Sequence, residues 1–415
     1  MGARGARHAA SRAETPATPT RRPRKARRDV RCVNGLSIAV LLLEASDRSS
    51  PDTRGRRKRA CHCLQHIGTL IASLADKVTS VKVKRAARNG DAMRPILEVK
   101  DLTVYYHTPA GPVRAVEGVT FSVHPQEWFG IVGESGSGKS TVALALLRLI
   151  KPPGRIERGQ IVLDGRDLLA FDEEDMRNYR LAQIALVAQG AMNSLNPVKR
   201  VRDHFLLALR DHGVQLGEQE YDRIIATLLK RVGLRPEVAH LYPHELSGGM
   251  KQRVCIALAI SLEPKVLVAD EPTSALDVVV QWQVMETLRA VQREIGAAVI
   301  LIGHDMGLIA QTVDRIAVMY AGRLVEVGPT REILTEPLHP YTRALIASLP
   351  SLDGRGELRG IAGLPPSLLN PPAGCAFHPR CPVAIDRCRM ERPLLREVRP
   401  RRWVACHLVE NGGTT

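Results

Sequence analysis

The chain has 415 residues, 44% of them hydrophobic and 25% charged, enough for two or three domains with a sizeable core, which excludes a peptide-sized or wholly disordered protein. The formal net charge of +16 suggests a nucleic-acid partner, but residues 1–92 hold 21 Lys and Arg against 7 Asp and Glu, and the rest of the chain is left with only +2. The basic character belongs to an N-terminal extension, and the body of the chain carries no such signal.

Residues 1–92 are rich in Arg, Ala, Ser, Thr and Pro and show no sustained period, so a disordered basic extension is expected there. The apolar run 36–43 is too short for a membrane span and too far from the start for a secretory leader. Cys61-His62-Cys63 has a metal-like spacing but stands in this extension, where it is read as incidental. Met93 directly precedes the first ordered alternation, Pro95-Ile96-Leu97-Glu98-Val99, so a native start near Met93 is expected. Residues 97–106 and 119–123 read as strands, 127–132 as a buried strand ending at a glycine loop, and 138–150 as a helix closed by Lys151-Pro152-Pro153-Gly154. Residues 199–262 carry helical periodicity with charged faces. Residues 266–269 and 298–302 are strands of the parallel, doubly buried kind. Residues 316–327 read as a hairpin turning at Ala321-Gly322, and 331–415 are Pro-rich and shorter in pattern.

The strongest motif is Gly133-Glu134-Ser135-Gly136-Ser137-Gly138-Lys139-Ser140-Thr141, a match to G-x-x-x-x-G-K-[ST] between a predicted strand and a predicted helix. Gly133, Gly136 and Gly138 let backbone N–H groups wrap phosphates, and the helix start adds its positive dipole end. Lys139 suits the β- and γ-phosphates; Ser140, followed by Thr141, suits Mg²⁺. This alone specifies a nucleoside triphosphatase.

Leu246-Ser247-Gly248-Gly249-Met250-Lys251-Gln252-Arg253 opens a second helix. Here the chain resembles the ATP-binding cassette (ABC) ATPases, whose L-S-G-G-Q signature it matches with Met250 in place of Gln; the Ser-Gly-Gly part is intact. The resemblance implies an α/β P-loop fold with a RecA-like core, an antiparallel β-subdomain, a helical subdomain near 190–262 and a small C-terminal Cys-containing domain. It implies that Ser247 and Gly249 meet the γ-phosphate of ATP held by the opposite subunit. Val266-Leu267-Val268-Ala269-Asp270-Glu271 resembles the Walker B strand, with Asp270 toward Mg²⁺ and Glu271 accepting the proton of the attacking water. Ser274-Ala275-Leu276-Asp277 matches the D-loop, His304 the switch histidine and Gln189 the Q-loop glutamine that senses Mg²⁺ and water. Tyr106, with Tyr105 as its competitor, matches the aromatic on which adenine stacks. The implied catalytic set is Glu271, His304, Gln189 and Lys139, and the implied Mg²⁺ set is Ser140, Gln189 and Asp270.

Within that family the chain is most similar to the ATPase subunits of oligopeptide/dipeptide and related nickel importers, over about residues 94–412. The residues that carry this are Gln189-Gly190-Ala191-Met192-Asn193-Ser194-Leu195-Asn196-Pro197, Leu338-His339-Pro340-Tyr341-Thr342, and a tail with Cys375, Cys381, Cys388 and Cys406. The C-x5-C-x6-C-x17-C spacing leaves open a [4Fe–4S] cluster, a zinc site or free thiols. The resemblance further implies a dimer with itself or a paralogous ATPase, two integral-membrane permease subunits, an extracytoplasmic substrate-binding protein, and a place on the cytoplasmic face of the cell membrane. The same resemblance implies a peptide cargo, with nickel or another small solute as the alternative. A cassette acting on nucleic acid or the ribosome is the rival. One P-loop and one signature, joined by an interval without heptads, argue for a transporter with no nucleic-acid partner.

Overall fold

The computed structural model describes residues 94–348 and 360–409. The expectations for the basic extension, the start at Met93 and Cys61-His62-Cys63 lie outside those residues.

Alternation of buried and half-exposed side chains produces a long hairpin. Strand β1 (Leu97–Thr108) pairs antiparallel with β2 (Gly111–Val123), Leu97 opposite Val123 and Thr108 opposite Gly111. The chain then enters β3 (Trp128–Val132), whose five residues are all buried, and after a glycine loop α1 (Lys139–Leu146). Strand β4 (Gly154–Leu163) returns to the free edge of β1 and carries the short β5 (Arg166–Asp167), completing an antiparallel sheet ordered β2-β1-β4-β5. Helix α1 ends four residues before the expected boundary. Arg148 takes φ +52°, and its guanidinium donates to the carbonyls of Leu168 and Phe171, so the chain leaves the helix axis there.

Helix α2 (Glu173–Tyr179) leads into β6 (Ile184–Val187). Next come α3 (Val201–Asp211), α4 (Glu218–Arg231) and α5 (Gly248–Ala259). On α4, Tyr221, Ile225, Leu228 and Leu229 are buried, one stripe at helical spacing, while the charged residues stay outside. Strand β7 (Val266–Asp270), α6 (Val278–Ile295), β8 (Ala298–Gly303) and α7 (Met306–Thr312) follow. The hairpin of β9 (Arg315–Tyr320) and β10 (Arg323–Pro329) turns at Ala321 and Gly322, both at positive φ as a tight two-residue turn requires.

The second sheet has β6, β7, β8, β3 and β9 side by side and parallel. Val266 and Val268 face the antiparallel sheet and α1, whereas Leu267 and Ala269 face the helices on the other side. Two buried faces explain why these strands read as unbroken apolar runs.

Beyond β10 lie α8 (Thr330–Thr335), α9 (Pro340–Ala347), α10 (Asp386–Met390), β11 (Arg396–Arg399) and β12 (Arg402–Val404). Strand β12 pairs with β10, Val404 opposite Glu326, so the tail extends the central sheet. Arg402 and Glu326 meet there at 2.6 Å, both fully buried. Among the described residues no helix is long and apolar enough to cross a membrane.

Candidate active site

Between β3 and α1 the chain makes a turn that only glycine fits at two points. At Gly133 (φ +155°) a Cβ would stand 2.1 Å from the carbonyl oxygen of Met319; at Gly138 (φ +101°) it would stand 2.1 Å from that of Ala115. The wrapped loop captures its own lysine. Lys139 Nζ donates to the carbonyls of Gly133 and Glu134, each at 2.8 Å, and approaches Ser137 Oγ at 3.4 Å. Burial lowers the Lys139 pKa, against which Glu271, Asp270 and Glu134 act.

The ends of β7 and β8 supply the acids and the imidazole. Asp270 closes β7; burial raises its pKa, and a hydrogen bond from Ser140 opposes that. Its Oδ1 is buried with no protein partner. An orphaned carboxylate oxygen beside a hydroxyl at a helix start fits a hard divalent cation. Glu271 follows with φ +46°, a left-handed backbone rare for a side-chain-bearing residue, and its N–H donates to Ile302 at the end of β8. Its carboxylate is held twice: Gln189 Nε2 donates to Oε2 at 2.9 Å, and His304 Nδ1 lies 3.1 Å from Oε1.

These groups share one pocket of about 450 Å³, lined by Gly136, Gly138, Lys139, Ser140, Thr141, Gln189, Glu271 and His304 together with Ala115, Ser135 and Leu368. Other expected residues stand outside it. Tyr106 packs against Gly154, close enough that a Cβ there would meet its ring at 2.7 Å. Ser247 caps α5, its Oγ accepting the Met250 N–H at 3.3 Å, while a Cβ on Gly249 would come within 2.5 Å of Val280 on α6. Asp277 caps α6 in the same way.

The four tail cysteines share one neighbourhood. Cys375 N–H donates to the carbonyl of Cys388 at 2.9 Å, Cys388 and Cys406 are buried, and burial pushes the Cys375 thiol up to about 11. Among the described residues, however, no three His, Cys, Asp or Glu side chains are placed to hold a metal ion.

Sequence reasoning missed Leu368 in the pocket wall and a bidentate pair between Arg380 and Glu134 inside the phosphate loop. No local pattern announces either, because the partners are hundreds of residues apart.

The family model described as ABC transporter matches residues 116–274, and the one described as oligopeptide/dipeptide transporter, C-terminal region, matches residues 325–388. A dipeptide transport ATP-binding protein of Caldanaerobacter subterraneus is 43% identical over 322 residues, 77% of this chain and 99% of that protein. An oligopeptide transport ATP-binding protein of Bacillus subtilis is 42% identical over 319 residues, 76% of this chain and 89% of that one. Among solved structures, a dimeric ATP-binding cassette in a post-hydrolysis state, bound to ADP and Pi, superposes with a TM-score of 0.51 and 26% identity, covering 57% of this chain and 99% of its own. A phosphate loop closed on its own lysine, two acids at the end of β7 and relatives this similar over about nine-tenths or more of their length lead to one conclusion: the chain belongs to the ATP-binding proteins of the ABC transporter family.

Proposed function

We propose that this chain is the ATP-hydrolysing subunit of an importer that carries dipeptides or oligopeptides across the cytoplasmic membrane. The observation that carries the hydrolytic part is the Glu271 carboxylate, held by Gln189 and His304 in the pocket that contains Lys139. The loop N–H groups and Lys139 bind the β- and γ-phosphates. Two of the three Nζ protons already serve carbonyls, and the long third contact leaves a donor for phosphate oxygen. Ser140, Gln189 and Asp270 would hold Mg²⁺, which supplies charge neutralisation on the phosphate oxygens. Glu271 accepts the proton of the attacking water, while His304 and Gln189 orient it. Tyr106 is the proposed adenine platform. Ser247 and Gly249 act on the nucleotide of a second subunit, which explains their place outside this chain's own pocket. The working unit is therefore a dimer, with itself or a paralogue.

The peptide cargo is supported by the names of the relatives and by the C-terminal match. With it come two permease subunits, an extracytoplasmic binding protein and a peripheral place on the cytoplasmic face of the membrane. The division we propose is a dispensable extension over 1–92, a nucleotide-binding domain over 93–330 and a transporter-type C-terminal domain over 331–415. The iron–sulfur reading of the tail rests on the spacing of Cys375, Cys381, Cys388 and Cys406 and on their shared neighbourhood. About four irons and four sulfides per chain after anaerobic purification carry it; four titratable thiols without metal end it. The transport reading is tested by deleting the gene and following labelled dipeptide, oligopeptide and nickel uptake. Peptide uptake is expected to fall and to return with the wild-type gene but not with Lys139→Ala. Loss of nickel uptake alone would overturn the peptide cargo.

A further inference from the structure

Glu134 is the second residue of the phosphate loop, and an acid in a loop that must accept polyphosphate is electrostatically unfavourable unless it is paired. It is paired from a great distance in sequence. Arg380, in the short turn after Phe377, forks onto it: Nη1 donates to Oε2 at 2.7 Å and Nη2 to Oε1 at 3.0 Å. The Arg380 side chain is only 5% exposed. Its remaining donors are also used, Nε to the carbonyl of Ala362 at 2.8 Å, Nη2 to that of Ile361 at 3.3 Å and Nη1 to the hydroxyl of Tyr320 at 3.2 Å. The fork is thus rigid on both sides, and the bond to Glu134 raises the pKa of the guanidinium.

The main chain of Glu134 is held as well. Its N–H donates to the hydroxyl of the buried Tyr341 on α9 at 2.9 Å, and its carbonyl accepts from Lys139 Nζ at 2.8 Å. That carbonyl also accepts the Ser137 N–H at 3.2 Å, so every polar group of this residue has a partner, and two of the four partner residues, Tyr341 and Arg380, come from beyond β10. The same C-terminal segment reaches the pocket directly. Leu368 lines it, and the Leu368 carbonyl accepts the Arg114 N–H on β2 at 2.9 Å.

We propose that Arg380 is a positioning residue for nucleotide binding: by clamping Glu134 it fixes the loop carbonyls that aim Lys139, so the C-terminal segment sets the affinity of the site for MgATP. The inference rests on the ATPase reading above. The clamp holds the loop equally in the ground and transition states, so its loss acts on KM more than on kcat.

The test uses the full-length chain, with equilibrium binding of a fluorescent MgATP analogue and steady-state hydrolysis. Arg380→Met is expected to raise Kd and KM about thirtyfold with kcat changed less than about twofold, the low end of what truncating one member of a desolvated charge pair does. Arg380→Lys keeps the charge but loses the fork, and should raise KM about threefold. Adding Glu134→Gln to Arg380→Met removes the unpaired carboxylate beside the phosphates and should recover part of the loss. Arg392→Met breaks the half-exposed pair with Glu117 in the same C-terminal region and should leave KM unchanged. Wild-type KM in folded Arg380→Met, or a loss in the double variant equal to the sum of the singles, overturns the proposal. If Arg380→Met does not fold, an unchanged KM in Arg380→Lys overturns it. Failure of the wild-type chain to bind the analogue would instead overturn the ATPase reading.

Discussion

Replacing Glu271 by Gln separates the geometry of the site from its chemistry. The carboxylate makes two contacts, with Gln189 Nε2 at 2.9 Å and His304 Nδ1 at 3.1 Å, and is 17% exposed. A glutamine of the same length keeps both: its carbonyl oxygen accepts from Gln189, and its amide donates to Nδ1 of a His304 carrying its proton on Nε2. The phosphate loop, Lys139 and the Ser140–Asp270 pair are untouched, so nucleotide affinity should stay within about threefold of wild type, roughly 0.6 kcal/mol. Only the capacity to accept a proton is lost. A positioned general base contributes roughly 10²–10⁴-fold, about 3–5.5 kcal/mol of barrier, and kcat should fall by that factor. On the proposed dimer cycle, in which ATP closes the pair and hydrolysis reopens it, the variant should also accumulate as an ATP-bound dimer, visible by size-exclusion chromatography with light scattering. The assay is phosphate release at saturating MgATP beside equilibrium binding. Turnover within about fivefold of wild type would remove Glu271 from the role of base, and loss of binding would show that the carboxylate holds the loop as well.

Gly138→Ala should abolish nucleotide binding, because the new Cβ would stand 2.1 Å from the Ala115 carbonyl in a backbone at φ +101°; retained binding by calorimetry would refute this. Burial pushes His339 down to about 3 from its ordinary 6.5. The unfolded chain therefore takes up the proton first, and this contribution to stability is complete above pH 6.5 and lost as pH falls from there toward 3, at about 1.4 kcal/mol per pH unit. His339→Asn keeps an acceptor for the Tyr341 N–H, bonded now to Nδ1 at 3.0 Å, and should flatten the dependence of the urea midpoint between pH 7 and 5. An unchanged slope would show that other groups set it. Glu326→Gln leaves the buried Arg402 with only the half-exposed Glu332 carboxylate, 3.7 Å away, as counter-charge and should destabilise by up to roughly 3–5 kcal/mol. A fall under about 1 kcal/mol in denaturant titration would mean that water reaches the pair.

The parts of the molecule legible in the amino-acid sequence are those decided within a few residues. The phosphate loop, the helix that opens at the Ser247 motif, the turn at Ala321 and Gly322 and the apolar runs of β7 and β8 all depend on short-range sterics and on burial of both strand faces. The acids Asp270 and Glu271 were legible because they end such a run. Strand β4 was not, since half of it faces solvent and its Arg, Glu and Gln residues mask the period. The early end of α1 was set by carbonyls of Leu168 and Phe171, some twenty residues on. Tertiary structure alone joined β12 to the central sheet through β10, brought Leu368 to the pocket wall and set Arg380 on Glu134, 246 residues away. A hydrogen bond or ion pair across that span leaves no periodicity and no spacing in the chain. It exists only because the sheet has already fixed both ends, so the contacts that the C-terminal segment makes with the phosphate loop were invisible until the fold placed them.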